Sequence, residues 1–303
     1  MKVVFWGVRG SIPCPGLQTV KYGGNTACIE LCLDELDYSL IIDAGSGIRE
    51  LGYQLVKQQN KNLDIRIFLT HTHMDHISGL PFFLPIYMPD SKIRIYGPVS
   101  HEQATLENVV GGLMDYRYFP IRKEELAAKI EYVSLKEEHL DLGDGLILTT
   151  KFLNHPILCL GYRFEYQDKI VCTTYDTEPF RNLFSLDPKD PNYDEELVRD
   201  GEEAARELNA QLEEFYRGAD LLIHDCQYTK VEYDADKQDW GHSWFEYVCS
   251  AAARAGVKKL ALFHHDPTRS DVQLEELEKI HCSSNRYGNI EIFCAREGMK
   301  VVL

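Results

Sequence analysis

Six consecutive residues, His71-Thr72-His73-Met74-Asp75-His76, hold three imidazoles and a carboxylate. Imidazole nitrogen and carboxylate oxygen are the donors that zinc takes at catalytic sites. The run Ile65-Arg66-Ile67-Phe68-Leu69-Thr70 precedes them and alternates as a strand does. On an extended backbone His71 and His73 project to one side. If the chain then turns into a helix, its first turn swings Asp75 and His76 toward a second, adjacent ion. One strand-to-helix corner thereby supplies donors to two ions.

A two-ion site needs about seven or eight ligand positions, some left open to water. The chain has eleven histidines. His155 follows Phe152-Leu153-Asn154, Asp176 follows Thr173-Thr174-Tyr175, His264 follows Leu260-Ala261-Leu262-Phe263, and Asp43 follows Leu40-Ile41-Ile42. Each polar residue caps a strand pattern. Donors at strand ends converge on one edge of a sheet, where a rigid scaffold holds them.

The elements that must position these groups are legible as periodicity. Strand patterns lie at 2–7, 27–33, 39–43, 65–70, 92–96, 130–134, 146–152, 160–166, 169–174, 220–224, 258–263, 290–294 and 299–302. Helix patterns lie at 48–59, 100–110, 193–217, 243–255 and 271–282. Gln167-Asp168-Lys169 is the turn of a hairpin. This order predicts an α/β (α+β) chain of two packed sheets with helices outside. We expect a single domain over 1–303 with insertions at about 111–120 and 178–218. Leu197, Ala204, Ala205, Leu208, Leu212 and Phe215 recur at helical spacing in the second insertion and predict its packed face.

The formal charge is −16, from 32 basic and 48 acidic residues. No Lys/Arg cluster stands out, and such a chain has no long-range attraction for a polyanion. No apolar stretch reaches the length of a membrane span. Nine scattered cysteines without a C-x-x-C pair predict reduced thiols in the cytoplasm.

The order Asp43, H-x-H-x-D-H, His155, Asp176, His264 resembles the five motifs of the metallo-β-lactamase superfamily, over nearly the whole chain. The resemblance implies a four-layer αββα sandwich with a dinuclear site on one edge. It implies that His71, His73 and His155 hold one ion, that Asp75, His76 and His264 hold the other, that Asp176 bridges, and that Asp43 orients ligands without binding. Two divalent ions are expected, Zn2+ first, with Mn2+ or Fe as alternatives. Phe5-Trp6-Gly7-Val8-Arg9-Gly10-Ser11, Gly161-Tyr162-Arg163, the strand ending His224-Asp225, and Gly241-His242-Ser243 are similar to segments of the ribonuclease Z-like phosphodiesterase branch. In that branch Asp225 and His242 would sit near the scissile phosphate and bind or protonate the leaving group, while Asp75 would also orient the nucleophile. His224 reads as a buried structural histidine.

Bacterial ribonuclease Z enzymes carry a long arm that grips transfer RNA between the Gly-Tyr-Arg strand and the bridging aspartate strand. Here only a short hairpin separates Gly161 from Asp176. The expectation is therefore hydrolysis of a small nucleotide phosphodiester, cyclic or linear, with nucleic acid and membrane not expected as partners and a homodimer compatible with the pattern. Tyr116, Tyr118 and Phe119 are candidates to stack on a base; local core or a dimer contact is the equal alternative. The rival functions are transfer-RNA 3′ processing and hydrolysis of a lactone or thioester.

Overall fold

A computed structural model describes residues 1–33, 35–58, 63–99, 104–282 and 286–303. The first half of the chain forms β1 (Lys2–Gly7), β2 (Cys28–Cys32), β3 (Ser39–Ile42), β4 (Asp64–Phe68), β5 (Lys92–Pro98) and β6 (Lys129–Leu135). The second half forms β7 (His139–Asp141), β8 (Ile147–Phe152), β9 (Leu160–Tyr166), β10 (Lys169–Thr174), β11 (Leu221–Asp225), β12 (Lys259–Phe263) and β13 (Glu291–Cys294). A last strand, β14 (Lys300–Val302), returns to the first sheet beside β1. The result is two seven-stranded sheets, ordered β14-β1-β2-β3-β4-β5-β6 and β13-β12-β11-β10-β9-β8-β7.

The helices are α1 (Ile48–Gln58), α2 (Met74–Ile77), α3 (Leu106–Gly112), α4 (Glu195–Phe215), α5 (Lys230–Glu232), α6 (Phe245–Arg254) and α7 (Asp271–His281). The start of the helix expected from residue 100 lies outside the described residues, as does the end of the one expected to reach 59.

Side-chain alternation builds the layers. Leu40, Ile42 and Phe68 of the first sheet face Phe164, Ile223, Ala261 and Phe263 of the second. Between them Ile41, Ile65 and Ile67 point outward to Ile48, Leu51 and Leu55 of α1. Likewise Leu222, Leu260 and Leu262 point outward to Val248, Cys249 and Leu274 of α6 and α7. Both faces of these strands are covered, so they read as apolar runs. Phe68 joins the sheets: it stacks on Tyr96 at 4.5 Å and meets Phe164 edge-on at 5.2 Å. Such pairs contribute about 0.5–1.5 kcal/mol beyond burial. The architecture is the expected αββα sandwich.

Strand direction explains the shared edge. In the second sheet β10, β11 and β12 run parallel. β8 is antiparallel to β9, and β9 to β10, so β8 runs with them as well. β3 and β4 are parallel in the first sheet. The residues after these strands are therefore carried to common edges.

The β9–β10 connection is two residues long, with Gln167 at φ 48° and Asp168 at φ 60°. Two left-handed residues match the twist of a tight hairpin. Helix α4 departs from its expected face. Asp194 caps it by accepting from the N–H groups of Glu196 and Leu197, but only Ala205, Leu212 and Phe215 are buried. Leu197, Ala204 and Leu208 are exposed, because only the C-terminal half of α4 lies on the second sheet's core.

Candidate metal centre

Beyond β4 the backbone is extended at His73 (φ −64°, ψ 152°), and α2 begins at Met74. Asp75 and His76 thus stand on the first helical turn, as the spacing requires. His155 follows β8, Asp176 follows β10 and His264 follows β12. Three groups of ligand-type atoms form among the described residues: His71, His73, His155 and Asp176; Asp75, His76, Asp176 and His264; and, beside the second, Asp225, His242 and His264. Within each group the atoms lie within 4.8 Å of one another, and Asp176 belongs to the first two. All seven residues expected from the motif are brought together.

The hydrogen bonds at the rim assign the tautomers of four imidazoles. Asp43 accepts from Thr70 N at 2.7 Å, from Thr70 Oγ1 at 2.8 Å and from His76 Nδ1 at 2.7 Å. Having given its proton to Asp43, the Thr70 hydroxyl accepts from His71 Nδ1 at 3.1 Å. His155 Nδ1 donates to the Gly241 carbonyl at 3.1 Å. His264 Nδ1 donates to Gln227 Oε1 at 3.1 Å. With Nδ1 engaged at the rim, Nε2 of all four rings is turned inward, the nitrogen free to ligate when deprotonated.

The inward nitrogens converge. His73 Nδ1 lies 3.0 Å from His71 Nε2 and 3.1 Å from His155 Nε2. His264 Nε2 lies 3.1 Å from Asp75 Oδ2 and 3.3 Å from Asp176 Oδ1. His76 Nε2 and Asp176 Oδ1 are buried and have no hydrogen-bond partner. Orphaned buried donors and acceptors are costly, and a cation between them satisfies several at once. The residues therefore fit two divalent ions. Burial pushes His71 well down and His155 down to about 4, which keeps both rings in the neutral form that ligation needs. Burial opposes the charge of Asp176, but the neighbouring His264 and His76 outweigh it and hold the carboxyl well below its usual range.

Backbone strain is concentrated here. Asp43 and His264 both sit in the left-handed region, at φ 60° and 59°. Each is the first residue after an inner strand, and each turns a polar side chain back over the sheet edge. Gly10 closes the site from the other side: a Cβ on it would lie 2.3 Å from His264 Cε1. The next residue, Ser11, donates its N–H to Asp75 Oδ2 at 2.7 Å.

His242 stands at the mouth of this cluster. Its ring stacks on His264 at 5.0 Å and meets His155 at 5.5 Å. Its Nδ1 lies 3.5 Å from Asp225 Oδ2, which also accepts from Ser243 N at 2.7 Å. Burial disfavours the imidazolium, but Asp225 outweighs that and raises His242 to about 9. His224 is buried and bonds the Asp225 carbonyl at 2.7 Å, a structural role as expected.

Gln227 and Thr70 carry no motif signal, and Gly241, though part of the Gly241-His242-Ser243 segment, was not expected to orient His155. Proximity of Gln227 to Asp225 is the only hint. The contacts of the aromatic candidates are local. Phe119 packs edge-on against Phe82 at 5.4 Å, while Tyr116 and Tyr118 are exposed beside Arg122 and Arg117. Among the described residues no helix is long and apolar enough to cross a membrane.

The model of the metallo-β-lactamase superfamily matches residues 22–156. A ribonuclease Z of Lactococcus lactis is 30% identical over 272 residues, covering 79% of this chain and 83% of its own length. Among solved structures, the metallo-β-lactamase fold protein YhfI from Bacillus subtilis superposes with a TM-score of 0.64 at 20% identity, over 99% of this chain and 98% of that one. The short form of human tRNase Z gives 0.62 at 21% identity, over 100% and 99%. Similarity of this extent, together with the strand-end donors, shows that the chain belongs to the metallo-β-lactamase superfamily of metal-dependent hydrolases, in its ribonuclease Z-like branch.

Proposed function

We propose that the chain is a dinuclear metal-dependent phosphodiesterase that hydrolyses a small nucleotide phosphodiester, cyclic or linear. His71, His73 and His155 would hold one ion, Asp75, His76 and His264 the other, with Asp176 between them. Two such ions lower the pKa of bound water and polarise a phosphate oxygen. The histidine-rich donor set favours zinc.

The chain's own groups supply the rest. Asp43 and Gln227 hold His76 and His264 in the tautomers that leave Nε2 free. Ser11 N–H fixes one oxygen of Asp75. His242 protonates the departing ribose oxygen, and Asp225 keeps that ring charged and oriented. The observation that carries the reading is the His242–Asp225 pair stacked over His264, a proton donor placed beside the ligand cluster.

Substrate size follows from charge and topology. A folded RNA needs phosphate contacts far from the cleaved bond, each adding to the salt dependence of binding. The chain carries −16 and joins β9 to β10 through two residues. The second reading is processing of precursor transfer RNA, favoured by the 30% identity to a relative named ribonuclease Z. It makes nucleic acid a live alternative as partner. The test is a hydrolysis screen of the metal-loaded protein across cyclic mono- and dinucleotides, bis(p-nitrophenyl) phosphate and a precursor transfer RNA. Small diesters are expected to be cleaved with little effect of salt. Processing of the precursor at its 3′ end more efficiently than any mono- or dinucleotide overturns the first reading in favour of the second.

A further inference from the structure

We propose that Trp240 is the platform on which the base of the substrate stacks, an inference that rests on the nucleotide reading above. The chain has three tryptophans. Trp6 and Trp244 are half-buried, whereas Trp240 is 56% exposed. Exposure alone assigns no role to an indole, but it leaves this ring free to meet a ligand, and its setting ties it to the ligand cluster.

The backbone around Trp240 is neither loose nor remote. It follows a turn of π-helix, Tyr233–Lys237, a rare geometry that occurs frequently at functional sites. Its two neighbours, Asp239 and Gly241, both take left-handed conformations, at φ 67° and 79°. Each neighbour is pinned. Asp239 N–H donates to Glu178 Oε2 at 3.1 Å, an oxygen that also accepts from Tyr233 Oη at 3.0 Å. Gly241 offers its carbonyl to His155 Nδ1 at 3.1 Å. A Cβ on Gly241 would lie 2.2 Å from that same nitrogen, so only glycine lets the loop approach so closely. Trp240 is thus one residue from contact with an imidazole of the ligand cluster and two residues from His242.

Pinning on both sides spares the loop the entropy of ordering when a ligand arrives. The Lys237 ammonium lies over the indole at 4.2 Å and 3.4 Å from Asp236 Oδ1. One ring face thereby carries a cation, and an electron-rich ring so polarised remains a stacking surface for any base. Stacking of this kind is tolerant of base identity, because every base has a π-face. Tyr116, Tyr118 and Phe119 lack any comparable tie to the cluster.

The experiment measures binding of AMP, GMP, CMP and UMP to the metal-loaded protein by calorimetry, with ribose 5-phosphate as the control without a base. Trp240→Ala is expected to weaken nucleotide binding by roughly 5- to 150-fold, the ratio that about 1–3 kcal/mol of stacking corresponds to. Trp240→Phe should restore most of it, and ribose 5-phosphate should bind all three proteins alike. In a Trp6→Phe/Trp244→Phe background, the nucleotides should quench the remaining tryptophan fluorescence and ribose 5-phosphate should not. Unchanged nucleotide binding in Trp240→Ala overturns the proposal and leaves the nucleotide reading intact, as does equal loss of nucleotides and ribose 5-phosphate. Nucleotides that bind the unaltered protein no better than ribose 5-phosphate overturn both.

Discussion

Gln227 Oε1 accepts the Nδ1 proton of His264 at 3.1 Å, and the opposite nitrogen of that ring is thereby aimed at Asp75 and Asp176. The same amide extends toward Ser11, 3.5 Å from its hydroxyl, so one side chain spans the loop after β11 and the loop after β1. Gln227→Leu should lower the affinity for one ion of the pair by about 10- to 100-fold, the usual effect of losing a ligand's supporting hydrogen bond. Gln227→Glu, which keeps an acceptor, should recover it. Titration of the apo-protein against a competing chelator reads both, and equal affinities in all three proteins would show that His264 needs no such partner.

Metal stoichiometry should be two ions per chain, measured by elemental analysis after metal-replete purification. Well under one ion per chain contradicts the site. His71 and its neighbours follow a strand of the first sheet, whereas His155, Asp176 and His264 follow strands of the second. Ions held between them should stabilise the sandwich. A ligand at a hundred times its Kd adds about 2.7 kcal/mol to the folded state. Chelation is therefore expected to lower Tm and re-addition to restore it; an unchanged Tm counts against ligands drawn from both sheets.

His242→Ala separates proton delivery from ion binding. The variant should keep its ions and lose on the order of 10²–10⁴ in turnover on a diester with an alkoxide leaving group. On a p-nitrophenyl ester, whose phenolate leaves without a proton, the loss should be far smaller. Equal loss on both substrates assigns His242 to phosphate binding or to support of the fold.

Gly10→Ala tests steric closure of the site. The added methyl would lie 2.3 Å from the His264 ring, which cannot yield without leaving Gln227. Overpacking of a dense interior costs typically about 1–3 kcal/mol. The expected outcome is a lower Tm together with weaker ion binding, read by thermal melts with and without metal. A variant with unaltered melting and unaltered affinity would falsify the claim that this contact is tight.

Much of the site was legible because the donors come on or shortly after strand ends, and strands that share a direction deliver their ends to one edge. The strand pattern over 65–70 reads two residues too long, since β4 ends at Phe68 and Thr70 gives its N–H to Asp43 instead of a ladder. β7 left no pattern: three residues, two of them exposed, carry no alternation. The roles of Gln227 and of the Gly241 carbonyl were invisible because they depend on which loops meet, not on what their neighbours in sequence are. The face of α4 was over-read for the reverse reason. Its spacing is helical throughout, but only tertiary packing decides where the helix leaves the sheet.

β14 pairs with β1 through Val3 and Val301, nearly the full length of the chain apart. The inner strands of the first sheet can align early, from neighbours close in sequence, but the outer side of β1 stays open until almost everything else is in place. Non-local pairing of this kind is slow, and an uncovered strand edge invites pairing with another molecule. Loss of β14 would put the edge of β1 in its place, and should first appear as poor yield of monodisperse protein, before any change in chemistry.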